Sequence, residues 1–379
     1  MVSDKFSELK PSETLAINAK AIELKQKGLD VLNFSAGEPD FNAPEEAKQA
    51  AVDAVRENFS RYTAVSGITE LREKIREKLK KDNNLDYSAD EIVVSTGAKQ
   101  ALYNTAQVLC NKGDEAIIPC PFWVSYKAMV LLAEAKPVFT CNETLKLTPE
   151  DLENSVTKKT KAVFLNYPNN PTGLTYSAKE LEQLAEIAVR KNIFVISDEI
   201  YEKILFEGKH VSIASFNEEI KNLTITINGL SKSHAMTGYR IGYSASNPEI
   251  ASAIKKIQGH STGNPCSVSQ KAAISAFNSD EAELKKHILE FKKRRDYITR
   301  ELKNTKLNLV VPQGAFYYFF SIKEVMEDDI QFCNGLLEKK LVALVPGKAF
   351  GMPGYARISY AASLEEIKKG IQRIKEFIE

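Results

Sequence analysis

The sequence has no run of the ~18 to 20 apolar residues that a bilayer-spanning helix needs. It also has no excess of one charge, since 51 basic against 50 acidic residues leave a net charge of +1. Without a long-range field, neither nucleic acid nor an anionic membrane surface is an expected partner. The five cysteines, Cys110, Cys120, Cys141, Cys266 and Cys333, form no CxxC pair and no dense framework, so they read as reduced core or surface thiols. The four histidines, His210, His234, His260 and His287, lie far apart with no ligand spacing, and no metal site is expected. No G-x-G-x-x-G follows a strand, which removes the usual support for a nicotinamide-dependent dehydrogenase. The first residues lack the apolar core of a signal peptide, and a cytoplasmic location is expected. The remaining partners are small molecules and a second copy of the chain.

What is present is an ordinary globular composition, 43% hydrophobic and 27% charged over 379 residues. Between about residue 45 and residue 275, short β-branched runs alternate with longer amphipathic stretches, the pattern of βα units around a mostly parallel sheet flanked by helices. Strands are predicted at Glu91–Ser95, Glu115–Pro119, Pro137–Thr140, Ala162–Asn166, Phe194–Ser197, Leu223–Asn228 and Arg240–Ala245. Helices are predicted at Gly97–Cys110, Ser177–Lys191 and Pro248–Gln258, with Ser177 and Glu180 spaced as a capping box. The last hundred residues read as a smaller α+β unit. It has a long charged helix Asp280–Asn304, then strands Leu307–Val311, Ala315–Ser321, Leu341–Val345 and Ala356–Ser359. A helix Ser12–Lys27 feeding a strand Val31–Ser35 is expected to pack with that unit. The expected organisation is α/β: an N-terminal segment 1–44, a large domain 45–280 and a small domain 281–379.

The chemistry is densest between Gly229 and Gly242, where Lys232 stands among small residues directly after a strand and Arg240 follows eight residues later. A lysine whose pKa is lowered by burial or by neighbouring cations is a nucleophilic amine near neutral pH, able to form a Schiff base. An aldehyde cofactor carrying a phosphate would use Lys232 and Arg240 together, which points to pyridoxal phosphate. Ser95 to Leu102 joins a strand end to a helix start, and backbone N–H groups there can meet a phosphate. Lys99 in that first turn opposes the helix dipole unless an anion sits nearby. Asn166 to Gly173, with two prolines and three asparagines, is a rigid turn that presents amides, Asn170 foremost. Asp198 ends an apolar strand, where open α/β sheets place ligands. A cationic ring nitrogen would offset the cost of that buried carboxylate, since opposite charges ~4 Å apart attract by about 4 kcal/mol at an effective dielectric of 20. Tyr201 could donate to a phenolic oxygen of the same ring, and Trp123, the only tryptophan, could stack on it.

The ordered segments STGAKQAL, PFWVSY, NYPNNPTG, SDEIY, SKSHAMTGYRIGY and ARISYA resemble those of the fold-type I pyridoxal-phosphate aminotransferases, most closely the bacterial aspartate aminotransferase subgroup. The likeness runs from Pro11–Thr14 through Asn33–Phe41 and Arg61–Gly67 to Arg357. It implies that Lys232 carries the cofactor as a Schiff base and afterwards moves a proton at the substrate α-carbon. Asp198 would pair with the ring nitrogen, and Tyr201 and Asn170 would bond its phenolic oxygen. Ser231, Arg240 and the backbone of Gly97, Ala98 and Lys99 would hold the phosphate, helped by Tyr62 from a second subunit of a homodimer. Arg357 would clamp the substrate α-carboxylate with help from Gly37 and Asn170, while Lys99 and Thr14 would meet a side-chain carboxylate. Trp123 would border both cofactor and substrate. The implied reaction passes an amino group between L-aspartate and 2-oxoglutarate by a ping-pong route. Aromatic amino acids, prephenate, alanine, or a C–S lyase reaction on the same fold stay open as alternatives.

Overall fold

The computed structural model of the chain describes residues 13–379, with the backbone alone for residues 13–15. In chain order the strands are β1 (Leu32–Asn33), β2 (Ile92–Thr96), β3 (Glu115–Pro119), β4 (Lys136–Thr140), β5 (Thr160–Asn166), β6 (Phe194–Asp198), β7 (Thr224–Gly229), β8 (Ile241–Ala245), β9 (Asn308–Val310), β10 (Tyr317–Ser321), β11 (Val342–Ala343), β12 (Val345–Pro346) and β13 (Tyr355–Ser359). Seven of them form one sheet in the order β2-β8-β7-β6-β5-β3-β4. Only β8 runs against its neighbours; every other pairing in that sheet is parallel.

The central strands are apolar on both sides, as a sheet covered by helices on both faces requires. Alternation along β6 shows how. Val195 packs with Leu181, Leu184 and Ala188 of the helix Ala178–Lys191, while the next residue, Ile196, packs with Ala101, Leu102 and Ala106 of the helix Ala98–Leu109. Burying each such isoleucine or valine contributes ~1.5 to 3 kcal/mol. The helix Ala178–Lys191 starts on a reciprocal cap, with the Ser177 N–H donating to Glu180 Oε2 at 2.7 Å and the Glu180 N–H donating to Ser177 Oγ at 3.3 Å.

The helices Glu45–Arg56, Thr69–Asn83 and Ser267–Ala276 were not individually predicted from the sequence. Thr69–Asn83 is mostly charged, with an apolar stripe of Leu71, Ile75 and Leu79, one residue wide. Ser267–Ala276 is built of small residues that bury without a strong periodic signal. Several strands are shorter than expected, among them Asn308–Val310 within the expected Leu307–Val311 and Tyr317–Ser321 within the expected Ala315–Ser321. The expected Val31–Ser35 narrows to β1, and Leu341–Val345 divides at Leu344, because β11 pairs with β1 while β12 pairs with β13 in a different sheet. The cysteines also depart from the expectation of reduced thiols throughout: Cys120 and Cys141 are joined in a disulfide, leaving Cys110, Cys266 and Cys333 free.

The C-terminal part is an antiparallel sheet, β12-β13-β10-β9. Phe316, Tyr318, Phe320 and Ile358 pack with Phe291, Ile298 and Leu302 of the helix Glu281–Leu302 and with Ile371 and Ile374 of the helix Leu364–Ile378. Parallel pairing of Leu32 with Val342 and Asn33 with Ala343 ties the N-terminal segment to this part. The consequence for the site lies in β13: Ala356 and Ile358 enter the core, so Arg357 between them points the opposite way.

Candidate active site

Asn166 and Asp198 are register partners at the carboxyl ends of β5 and β6, and the turn bearing Lys232 leaves the same end of β7. These ends open on a cavity of about 400 Å³. Of the residues singled out from sequence, Gly37, Ala98, Lys99, Trp123, Asn170, Asp198, Tyr201, Ser231, Lys232, Arg240 and Arg357 all line it. Gly97 is not among the lining residues but caps the helix whose first residue, Ala98, is. Tyr62 does not line it and is 98% exposed. The side chain of Thr14 lies outside the described residues.

Lys232 Nζ donates to the Gly37 carbonyl at 2.6 Å. Burial pushes its ammonium down to about 8; the Glu38 carboxylate opposes that shift, while Arg240 and Arg357 add to it. Asp198 is buried and accepts from the Tyr126 hydroxyl at 2.5 Å and from the Ile200 N–H at 3.3 Å. Burial pushes its carboxyl up to about 6 against those two donors. Behind it Glu199, wholly buried, accepts from Ser212 at 2.7 Å and Ser197 at 2.9 Å and contacts His210 Nε2 at 2.9 Å. This network fixes the turn that carries Asp198.

The helix Ala98–Leu109 begins at the cavity with free N–H groups. Its N-cap, Gly97, has φ 79°, and a Cβ there would stand 2.4 Å from Arg240 Nη2. Only glycine lets the guanidinium lie against that backbone. Arg240 itself is held at φ 55°, in the left-handed region, with Nη1 donating to the Thr237 carbonyl at 2.7 Å. A non-glycine residue there marks a position where surroundings override backbone preference. The Lys99 ammonium lies 5.0 Å from the Trp123 ring, and burial, then Arg240, lowers its pKa.

Arg357 Nη1 donates to Asn170 Oδ1 at 2.9 Å and Nη2 to the Ser35 carbonyl at 2.6 Å. Gly37, whose backbone was expected to help Arg357 hold the substrate α-carboxylate, lines the same cavity, and its carbonyl accepts from Lys232. The Arg357 guanidinium lies 4.5 Å from the Tyr317 ring and 5.0 Å from the Phe350 ring, and its buried Nε has no partner among the described residues. Tyr201 is paired hydroxyl to hydroxyl with Tyr317 at 2.7 Å, and burial holds its pKa well above the ordinary value.

Several lining residues were not singled out from sequence. Tyr126 ends the quoted PFWVSY segment, and Asn166 opens NYPNNPTG; Asn166 Nδ2 donates to the Asp198 carbonyl at 2.9 Å and its Oδ1 accepts from the Asn170 N–H at 2.8 Å. Both sat inside recognised segments. Ser35, in Asn33–Phe41, and Thr237, between Lys232 and Arg240, were likewise inside recognised segments, whereas Tyr317 and Asn18 reach the cavity from elements whose approach only the tertiary structure reveals.

The family model for aminotransferases of class I and II matches residues 29–374. Among relatives, the aspartate aminotransferase of Bacillus sp. (strain YM-2) is 45% identical over 388 residues, covering 100% of this chain and 99% of that protein. The probable aspartate/prephenate aminotransferase of Rickettsia bellii is 44% identical over 99% of this chain and 98% of that protein. Among solved structures, the aspartate aminotransferase of Thermus thermophilus with maleate superposes with a TM-score of 0.96 at 38% identity, covering 100% of this chain and 99% of that one.

Proposed function

The chain belongs to the class I and II aminotransferases, and on that premise we propose that it passes an amino group between L-aspartate and 2-oxoglutarate, giving oxaloacetate and L-glutamate by a ping-pong route, with pyridoxal 5′-phosphate as cofactor. The observation that carries this reading is that Lys232 and Arg240 of the β7–β8 connection, Asp198 of β6 and Arg357 of β13 face one cavity.

The residues fit that cofactor. Among the described residues, Asp198 is a buried carboxylate with two donors and no cation bonded to it, the condition a protonated ring nitrogen would relieve. Ser231, Arg240 and the first N–H groups of the helix Ala98–Leu109 form a donor set for a dianionic phosphate, and the bare face of Gly97 leaves Arg240 room to serve it. Trp123 supplies a flat wall, and Asn170 and Tyr201 would bond the ring oxygen. When bound, the cofactor supplies an aldehyde carbon that takes up an amine and a cationic ring that draws electrons from the bonds at the substrate α-carbon.

The chain's own groups supply the rest. With its ammonium pushed down to about 8, Lys232 is neutral in about a tenth of molecules at pH 7, far more than an ordinary lysine, so Nζ can act first as nucleophile and then as the base that takes the proton from the substrate α-carbon. Arg357, oriented by Asn170 and the Ser35 carbonyl, binds the α-carboxylate; its unpartnered Nε is a donor that an anion would satisfy. Lys99 meets the side-chain carboxylate of aspartate, a demand in keeping with the maleate carried by the similar Thermus structure. Arg357 lies on β13 of the small sheet and Lys232 in the turn after β7 of the large one, so closing those parts on a substrate would exclude water from the α-carbon.

The proposal extends to a homodimer, in which the exposed Tyr62 would complete the phosphate site of a second copy, and to the cytoplasm, where free thiols such as exposed Cys266 persist. The test is a spectrum and a substrate panel: the purified protein should absorb in the visible and bleach or shift with aspartate. Turnover with alanine or cystathionine in preference to aspartate would refute the donor. A second reading, prephenate as an additional acceptor, is favoured by the Rickettsia relative and is decided by offering prephenate in place of 2-oxoglutarate with aspartate as donor.

A further inference from the structure

Cys120 follows β3 and Cys141 follows β4, parallel neighbours with Pro119 paired to Thr140. The Cys120 N–H donates to the Thr140 carbonyl at 2.8 Å, and the two Cα atoms stand 4.7 Å apart, inside the range that a disulfide spans. The bond therefore staples β4, the edge strand of the large sheet, to its only neighbour, at the end of the sheet where the cavity opens.

The two cysteines differ in exposure. Cys120 is buried and Cys141 is exposed, so an incoming thiolate can reach one sulfur and displace the other. Cys120 also begins the loop that carries Phe122 and Trp123. The Phe122 N–H donates to the Phe350 carbonyl at 3.1 Å, and the Phe350 ring lies 5.0 Å from the Arg357 guanidinium. A Cβ placed on Gly351 would stand 2.5 Å from the Phe122 ring and 3.3 Å from Cys120 Sγ. The Cys120 sulfur thus sits at the contact between the Trp123 loop and the turn that backs Arg357. Phe122 stacks on Phe139 of β4 at 5.1 Å, so the strand ends remain joined when the staple opens.

We propose that Cys120 and Cys141 form a reversible thiol–disulfide exchange site, reacting with small dithiols and disulfides, whose state sets how firmly the Trp123 loop is held against the substrate pocket. The effect on substrate rests on the aminotransferase reading, and the reversibility fits the proposed cytoplasmic location, where disulfides are mostly transient and regulatory. In reduction, a thiolate of the dithiol attacks Cys141 Sγ, the Cys141–Cys120 bond breaks, and Cys120 leaves with the electron pair and takes up a proton. The second thiol of the reagent then displaces Cys141, leaving two protein thiols and an oxidised reagent. Oxidation by a small disulfide is the reverse.

The test uses the holoenzyme treated with oxidised glutathione, before and after dithiothreitol. Alkylation under denaturing conditions, read by intact mass, should mark three cysteines before reduction and five after it. Trp123, the only tryptophan, reports the loop directly: acrylamide quenching should increase on reduction. The KM for aspartate should rise about fivefold or more while kcat changes little. Cys120→Ser and Cys141→Ser should each behave as the reduced form and ignore dithiothreitol. Five alkylated cysteines in the oxidised sample, or identical quenching in both states and in the variants, overturn the proposal. Thiol count and quenching need no substrate, so a failed aspartate assay with altered quenching would count against the aminotransferase reading and leave the exchange site standing.

Discussion

The Tyr126 hydroxyl donates to Asp198 Oδ2 at 2.5 Å, and the Tyr126 ring meets Trp123 edge-on at 5.4 Å. One side chain thus joins the carboxylate proposed for the ring nitrogen to the indole proposed for the ring face. Donation stabilises the ionised form of Asp198, opposing the burial that pushes its carboxyl up to about 6.

That shift has a consequence for the apoprotein. An aspartic acid whose folded pKa is raised contributes stability below its unfolded value, near 3.8, and loses it as pH rises through about 6. Above that range the empty site carries a penalty on the order of 2 to 3 kcal/mol. Asp198→Asn should therefore gain on the parent apoprotein by up to that amount between pH 4 and pH 7, measured by denaturant unfolding, while losing cofactor affinity. A stability difference independent of pH would contradict the burial argument.

Lys232 should show its depressed pKa in the rate at which the apoenzyme takes up cofactor. Because only the neutral amine adds to an aldehyde, the rate should climb as pH rises toward about 8 and level off above it. Stopped-flow absorbance from pH 6 to pH 10 gives the profile. A rate still climbing at pH 10 would mean an amine of ordinary basicity.

Arg357→Lys keeps a charge but loses the planar fork now held by Asn170 and the Ser35 carbonyl. The KM for aspartate should rise about 30-fold or more, corresponding to roughly 2 kcal/mol or more of lost charge-assisted bonding. Steady-state kinetics with unchanged KM would remove Arg357 from the proposed α-carboxylate site.

Lys99→Met separates substrate classes. If the Lys99 ammonium meets the side-chain carboxylate, kcat/KM for aspartate should fall about 100-fold while that for alanine changes by less than about threefold. An equal loss for both would give Lys99 to the cofactor phosphate instead.

Gly97→Ala places a Cβ 2.4 Å from Arg240 Nη2 at a backbone φ of 79°. Both effects act at the proposed phosphate donors, so equilibrium dialysis should show weakened cofactor binding, with a stability loss of about 1 to 3 kcal/mol. Unchanged affinity would show that Arg240 can move aside without cost.

Much of this was legible in the sequence, for identifiable reasons. Strands buried on both faces, such as β3 and β6, announce themselves as apolar runs, and Ser177 with Glu180 marks a helix start locally. Residues at strand ends, Asp198 and Lys232 among them, inherit their place from the strands. Thr69–Asn83 was missed because three buried apolar positions in fifteen leave little periodic signal. The Tyr201–Tyr317 and Arg357–Ser35 contacts join residues 116 and 322 positions apart, and no local pattern encodes them. The Cys120–Cys141 pairing was hidden for the same reason, since only the register of β3 on β4 brings those two residues together.

The central claim is that the amine of Lys232 is the group that holds the cofactor. Borohydride reduction of the holoenzyme, digestion and peptide mass analysis test it in one measurement. The account predicts a reduced pyridoxyl phosphate mass on the peptide containing Lys232; its absence, or its appearance on another lysine such as Lys99, would contradict it.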